Sequence, residues 1–455
     1  MPLRLPLLCS LVFAAFVSPA TAEPTWKAGT ASAIITPQTS MWMGGYASRT
    51  EPSDGTDLDL KASALVLEDA AGQRAALVCL DLISIPRDLH LAVAAALEKA
   101  HGIPIERLML NASHTHCGPE LRSHRTKGTD QPAQRDEEAQ RYRQCLFETI
   151  LRLVSTAITQ ARPATLDYHQ ARCGFAMNRR LNRLGRWQNA PNPDGPVDHR
   201  VPVLCVRDAE KNLVALAFGY ACHCTTQSFQ KFSGDYAGHA CRLLEEQHPG
   251  CTALFVNGCS GDQNPYPRRE PGLEKIHGQT LATAVAAALQ TPAQPLTGGL
   301  SAAYQEIPLA YEKVPTADGL RQHLQDPDRY EARRARALLD QLEAGETLPT
   351  SYPYPVQVLR LGDQLTLVAL GGEVVVDYSL RLQRELRDAI VWVAGYSNDV
   401  MTYIPSQRVW EEGGYEGGDA MKYNNHPSRW ASGVEDQIIQ TIQTLRNSLP
   451  TAPSR

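Results

Sequence analysis

The segment Asn111-Ala112-Ser113-His114-Thr115-His116-Cys117-Gly118-Pro119 concentrates side chains able to do chemistry. It follows Leu108-Met109-Leu110, an apolar run that reads as a buried strand. An extended conformation carried through both histidines would put His114 and His116 on one face, because strand side chains repeat with a period of two. Gly118-Pro119 then ends the strand, so both imidazoles would sit at its terminus, facing a loop region. Neutral imidazole is the commonest metal ligand and binds zinc well. An isolated His-x-His is more often a pair of hydrogen-bonded turn residues, so the weight rests on what accompanies it.

Four further stretches place polar residues at the end of an apolar strand. Phe218-Gly219-Tyr220-Ala221-Cys222-His223 delivers a third histidine. Phe255-Val256-Asn257-Gly258-Cys259-Ser260-Gly261-Asp262-Gln263-Asn264-Pro265 brings amides, a hydroxyl and a carboxylate. Val368-Ala369-Leu370-Gly371-Gly372-Glu373 ends on a carboxylate, and Val393-Ala394-Gly395-Tyr396-Ser397-Asn398 leads on to Tyr403. Ligands contributed by several strand ends are a common way for an α/β fold to build a site. The recurrence points to one shared cleft.

The elements that must position these residues follow from periodicity. Strands are expected at 62–68, 74–80, 107–112, 201–207, 213–221, 252–256, 356–361, 365–370 and 389–393. Helices are expected at 88–100, 136–160, 239–247, 272–287, 331–342, 376–386 and 436–445. The stretches 118–134 and 177–198, rich in polar residues, glycine and proline, read as loops. This alternation implies an α/β fold, a large mixed sheet with surrounding helices and the active site at strand ends.

Residues 1–22 read as a secretory signal peptide: Arg4, an apolar core from Leu5 to Val17, and Ala20-Thr21-Ala22 for cleavage. The chain is therefore expected to be secreted or periplasmic. The remaining stretch of about 430 residues is long enough for one large core. A net charge of −5 with no long basic tract excludes nucleic acid as a natural partner. No later segment has the apolar length of a transmembrane anchor. Of eleven cysteines only Cys9 lies in the leader, and in an oxidising compartment some of the others should pair. No Cys-x-x-Cys pairing typical of a zinc knuckle is present.

Taken together, these motifs resemble the catalytic domain of the neutral (non-lysosomal) ceramidases, secreted or surface zinc amidases of lipid metabolism. The likeness runs from Ile35-Thr36-Pro37 and Gly44-Gly45-Tyr46-Ala47 to Tyr415-Glu416-Gly417, and is sharpest at His114-Thr115-His116-Cys117-Gly118-Pro119, similar to the family's His-Thr-His-Ser-Gly-Pro. The resemblance implies Zn2+ held by His114, His223, Glu373 and Tyr403, with His116 at the reaction centre and Arg179, Tyr415 and Asn264 in the active site. It further implies a single domain over 23–455, without the C-terminal immunoglobulin-like domain of full-length members. Asn264 stands where the family's Gly-Asp-x-Ser-Pro has serine, a change of length and volume that should reshape a pocket fitted to one head group.

The chemistry is coherent on residue types alone. Two imidazoles, a carboxylate and a phenol make a nitrogen/oxygen zinc site able to take up a water. Zinc lowers the pKa of such a water and polarises a carbonyl. His116 could move a proton, while Arg179 or Tyr415 could meet the developing oxyanion. The expected function is hydrolysis of an amide bond in a small-molecule N-acyl substrate, ceramide-like or other, by a zinc-activated water. The alternative is a binding protein of the same fold without turnover. A metallo-β-lactamase-like site is disfavoured because no Asp-His follows His116.

Overall fold

The computed structural model describes residues 26–122, 132–386, 388 and 390–450, so the expected leader at 1–22 and most of the 118–134 loop lie outside the described residues. Among the described residues the largest element is a nine-stranded sheet. Its strands run Thr252–Asn257, Leu213–Tyr220, Arg200–Asp208, Arg162–Arg172, Trp26–Ile34, Lys61–Asp69, Arg74–Leu80 and Leu108–Ala112, with Gln294–Pro295 added beside Arg162–Arg172. Pairing is antiparallel except at the two edges, where Thr252–Asn257 lies parallel to Leu213–Tyr220 and Leu108–Ala112 parallel to Arg74–Leu80. A four-stranded sheet, Leu300–Ala310, Ser351–Leu361, Leu365–Leu370 and Ile390–Ala394, also ends in a parallel pair.

These parallel strands are apolar on both faces because both faces are covered. Leu108–Ala112 and Leu365–Leu370 are buried at every position. One face of the large sheet packs with the four-stranded sheet through Leu65, Met109, Leu204, Leu254, Leu359 and Leu367. Outside, the helix Pro132–Thr159 lays Leu146, Ile150, Leu153 and Val154 on one flank. The helices Asp235–Gln247 and Leu273–Ala288 cover another. Burying each such side chain contributes about 1.5–3 kcal/mol, enough to hold a helix that is otherwise polar.

The two edge strands of the large sheet meet through side chains rather than a backbone ladder. Asn111 Oδ1 accepts the Asn257 amide at 2.8 Å, and Asn257 Nδ2 donates to the Ser113 carbonyl at 3.1 Å. Asn111 Nδ2 also donates to the Gly395 carbonyl at 2.8 Å, which ties in the second sheet. The sheet is thus curled until its parallel edges face each other, and the strand ends carrying His114, His223, Glu373 and Tyr403 converge.

Three expectations are corrected. The strand ends at Ala112, and His114 adopts a left-handed conformation (φ 61°), so the two histidines are not related by strand pleat. The stretch 177–198 contains a hairpin, Ala176–Arg183 with Arg186–Asn192, turned at Leu184 and Gly185, both at positive φ. Its composition hid it because the inward side chains are polar: Asn178, Arg179 and Arg180 are buried and satisfied by hydrogen bonds instead of apolar packing. All ten described cysteines are free thiols. Cys173, Cys205, Cys222, Cys224 and Cys251 fill one apolar core as small hydrophobic side chains, and burial holds Cys173 and Cys205 up to about 11.

Asn111→Ala would leave the buried Asn257 amide and Gly395 carbonyl without these partners. The Gly395 carbonyl keeps the Ser397 hydroxyl as a donor, so the expected loss is about 1–3 kcal/mol of unfolding free energy, the cost of the one orphaned amide. Urea denaturation should read this as a lower midpoint at unchanged slope.

Candidate metal centre

Each of the three histidines is delivered by a strand end. His114 follows Leu108–Ala112, and its Nδ1 meets the Ile83 carbonyl at 2.6 Å. His223 follows Leu213–Tyr220, and its Nδ1 meets the Ser260 carbonyl at 2.6 Å. A carbonyl can only accept, so both rings carry their proton on Nδ1 and turn an unprotonated Nε2 toward the centre. Nε2 of His116 lies 3.1 Å from Nε2 of His114, and the ligand atoms of the three rings all fall within 4.8 Å of one another. Burial, then the Arg179 charge, pushes His223 down to about 3; burial and its histidine neighbours hold His116 well below the usual range. Both imidazoles are neutral at physiological pH.

Glu373 completes the cluster. Its Oε2 stands 3.2 Å from His114 Nε2 and 3.3 Å from His223 Nε2. With the ring protons committed to carbonyls, neither nitrogen can donate to it, and Oε2 is buried with no hydrogen-bond partner. A carboxylate facing two nitrogen lone pairs is repulsive unless a cation lies between them. The donor set therefore fits a cation with nitrogen and oxygen ligands.

Tyr403 joins through the backbone as well as the side chain. Glu373–Val374 and Tyr403–Ile404 form a short parallel pair in which Glu373 is the register partner of Tyr403. The Tyr403 hydroxyl is 3.3 Å from His223 Nε2 and accepts from Arg179 Nη2 at 2.9 Å. Arg179 is otherwise occupied: Nε donates to Glu416 Oε1 at 2.8 Å and Nη1 to Asn264 Oδ1 at 3.3 Å. Arg180 grips the second oxygen of Glu416 at 2.6 Å. Burial opposes the Arg179 charge, but Tyr403 and Glu416 together hold it well above its ordinary value.

A cleft of about 540 Å³ opens above the cluster, lined by His114, His116, Glu373, Tyr403 and Tyr415 at its base. Its upper wall comes from the segment 41–50, with Trp42 and Tyr46, and from Tyr330, Arg333 and Tyr423. Tyr415 sets its ring edge-on to Tyr403, with centroids 5.2 Å apart. Arg179 and Asn264, expected in the active site, do not line this cleft. Asn264 is fully buried behind Arg179, reached by Thr225 Oγ1 and donating to Asn189 Oδ1 at 3.2 Å.

Several contributors were missed from sequence. The carbonyls of Ile83 and Ser260 set the histidine tautomers, but a backbone carbonyl has no residue signature. Glu416 bridges two adjacent buried arginines, a role its place beside Tyr415 did not disclose. Asp262 accepts from the Val376 amide at 2.8 Å and from Asn178 Nδ2 at 3.0 Å, joining the segment after Glu373 to the hairpin that holds Arg179. Burial pushes its carboxyl up to about 6. Gly45, at φ 98°, lies so close to His116 that a Cβ there would sit 2.5 Å from the ring. In sequence it stands only as part of Gly44-Gly45-Tyr46-Ala47, and this contact is what requires glycine.

Residues 26–292 match the family model described as neutral/alkaline non-lysosomal ceramidase, N-terminal. Two Dictyostelium discoideum proteins, neutral ceramidase B and neutral ceramidase A, are each 27% identical, over 49% and 54% of the chain. Those matches span 33% and 37% of the relatives' own length, about a third of each. Neutral ceramidase from Pseudomonas aeruginosa superposes with a TM-score of 0.71 at 21% identity, covering 96% of this chain and 76% of that one. A ceramidase complexed with C2 gives 0.72 at 21% identity, covering 95% and 77%. These likenesses show the mixed α/β fold.

Glu416→Gln would strip one carboxylate from between two buried guanidinium groups. Breaking a buried pair from one side typically costs about 3–5 kcal/mol, because the surviving charge is uncompensated. A comparable fall in unfolding free energy is expected by chemical denaturation, with Glu412→Gln, on the more exposed partner of Arg180, costing less.

Proposed function

The chain belongs to the neutral/alkaline non-lysosomal ceramidase family, and from that premise we propose that it is a zinc-dependent hydrolase cleaving the amide bond of an N-acyl substrate, with ceramide as one candidate. The observation that carries the reading is the buried Glu373 Oε2, which has no hydrogen-bond donor and faces Nε2 of His114 and His223 at the base of the cleft. In this reading His114, His223, Glu373 and Tyr403 hold the zinc. When bound there, the metal supplies a Lewis acid that polarises a carbonyl and lowers the pKa of water toward roughly 7.

The remaining residues divide the work. His116, neutral and open to the cleft, takes up or returns a proton at Nε2. Its ring is set by Gly45 on one side and by Tyr46, whose centroid lies 5.0 Å away. Tyr415, 38% exposed at the cleft, is placed to donate to oxygen as negative charge develops. Arg179 acts as a positioning residue, fixing the Tyr403 hydroxyl while Glu416 fixes Arg179. Asn264 reaches the cleft through Arg179, with Asn189 and Thr225 as its other partners, so the serine-to-asparagine change acts at one remove from the cleft. Trp42, Tyr46, Met41 and Met43 give one wall an apolar surface suited to an acyl chain, and the volume falls within the range of about 300–1,000 Å³ usual for small-molecule sites. No helix among the described residues is long and apolar enough to cross a membrane. The leader-like residues 1–22 support export, to the periplasm or beyond.

Elemental analysis should find that His223→Ala loses one equivalent of zinc relative to wild type; equal zinc in both would overturn the ligand assignment. His116→Ala and Gly45→Ala should keep their zinc while amide turnover falls, for Gly45→Ala by about 10–100-fold through displacement of the imidazole. A screen of N-acyl amino acids, N-acyl amines and ceramides identifies the substrate. Failure of zinc-loaded protein to hydrolyse any of them would favour the binding-protein alternative.

A further inference from the structure

A second group of metal-type side chains lies outside the cluster already described. Asp57, His239 and Glu274 bring ligand atoms that all fall within 4.8 Å of one another. His239 projects from the helix Asp235–Gln247 and is 3% exposed, with neither ring nitrogen hydrogen-bonded. An imidazole buried with both nitrogens unmet is rare, since such groups almost always find a partner. Glu274, 2% exposed, stands in the first turn of the helix Leu273–Ala288, where the Gly272 amide donates to its Oε2 at 3.0 Å. Asp57 is exposed, and Gln227 Nε2 and Ser233 Oγ both reach its Oδ2, at 3.2 and 3.4 Å.

The approach of the two helices is built in. A Cβ on Gly278 would fall 2.6 Å from the Cβ of His239, so only glycine lets the helices pack this closely. Gly278 and Glu274 are four residues apart and share a helix face, which brings the carboxylate over the imidazole. An ordinary structural histidine in this position would donate to Glu274 or Asp57, and no such hydrogen bond forms. Ligand atoms bound at about 2.0–2.2 Å to one cation stand roughly 3–4 Å apart, a spacing this group accommodates.

We propose that Asp57, His239 and Glu274 form a second metal site, for a first-row divalent cation of the zinc class. One imidazole nitrogen and two carboxylates are too few oxygens for calcium, which takes about 6–8, and imidazole favours the transition metals. The partners on Asp57 Oδ2 orient that carboxylate, as outer hydrogen bonds do at metal sites. Because Asp57 is exposed, the remaining coordination positions open to water. The cation fastens the loop at Asp57 to two helices that share one apolar core.

The test is zinc content of the full chain by inductively coupled plasma mass spectrometry, with zinc titration followed by calorimetry. Wild type should bind two equivalents, and Asp57→Asn, His239→Ala and His223→Ala one each. In the His223→Ala background, titration reads this site alone, and adding Asp57→Asn should weaken zinc binding at least 10-fold. Asp57 is on the surface, so its variant decides the matter should His239→Ala fail to fold. Equal zinc in wild type and Asp57→Asn, or saturation by calcium and not by zinc, would overturn the proposal. Loss of metal only in His223→Ala would overturn it while leaving the first site intact.

Discussion

A carboxylate oxygen turned toward the bare nitrogens of two buried imidazoles is the interaction to which the rest of the molecule answers. Left to themselves these groups repel. Two features keep them in place. The Ile83 and Ser260 carbonyls take the ring protons and prevent either histidine from rotating its N–H inward. The backbone pairing of Glu373 with Tyr403 fixes the carboxylate at the level of the rings. The preference for a positive charge at the centre is therefore written into the backbone as much as into the ligands.

Bringing those groups together requires strand ends from two different sheets. The nine-stranded sheet alone would leave His114 at one edge and His223 one strand in from the other, separated by the antiparallel strands between them. The asparagine bridge between Asn111 and Asn257 draws the edges in, and the Asn111 amide reaches across to the second sheet at Gly395. Polar closure of this kind suits a site, because asparagine satisfies backbone groups from a distance that a backbone ladder could not span. Behind the centre, Glu416 divides its two oxygens between Arg179 and Arg180, so the guanidinium that steadies Tyr403 is itself immobilised.

Most helices and half of the described strands were legible in the sequence, because apolar runs and 3.6-residue periodicity are local signals; Trp26–Ile34, Arg162–Arg172 and Leu300–Ala310, where buried and exposed positions mix, were not. The convergence of His114, His223, Glu373 and Tyr403 was legible for a related reason: each is a polar residue soon after a run that must be buried. What escaped detection was set by geometry without a residue signature. The left-handed turn at His114 cannot be read from a His-x-His spacing, although the imidazoles meet all the same. The hairpin Ala176–Arg183 with Arg186–Asn192 was hidden because its inward side chains are asparagine and arginine, which look solvated until their partners on distant segments are known. The cysteines misled for the opposite reason: a leader-like start made pairing the natural expectation, whereas their neighbours in space are leucine, valine and phenylalanine.

Those unpaired thiols give the chain an internal clock. Cys145 is exposed and Cys241 half-buried, while the other eight described cysteines are buried. They are distributed over separate regions: Cys79 beneath the large sheet, Cys117 beside the histidine turn, Cys259 under the four-stranded sheet, and the remainder mostly around the paired helices. A thiol reagent reaches Cys145 at once but meets each buried sulfur only when its own region opens. The order of labelling thus records which part of the molecule loosens first, with no engineered cysteine.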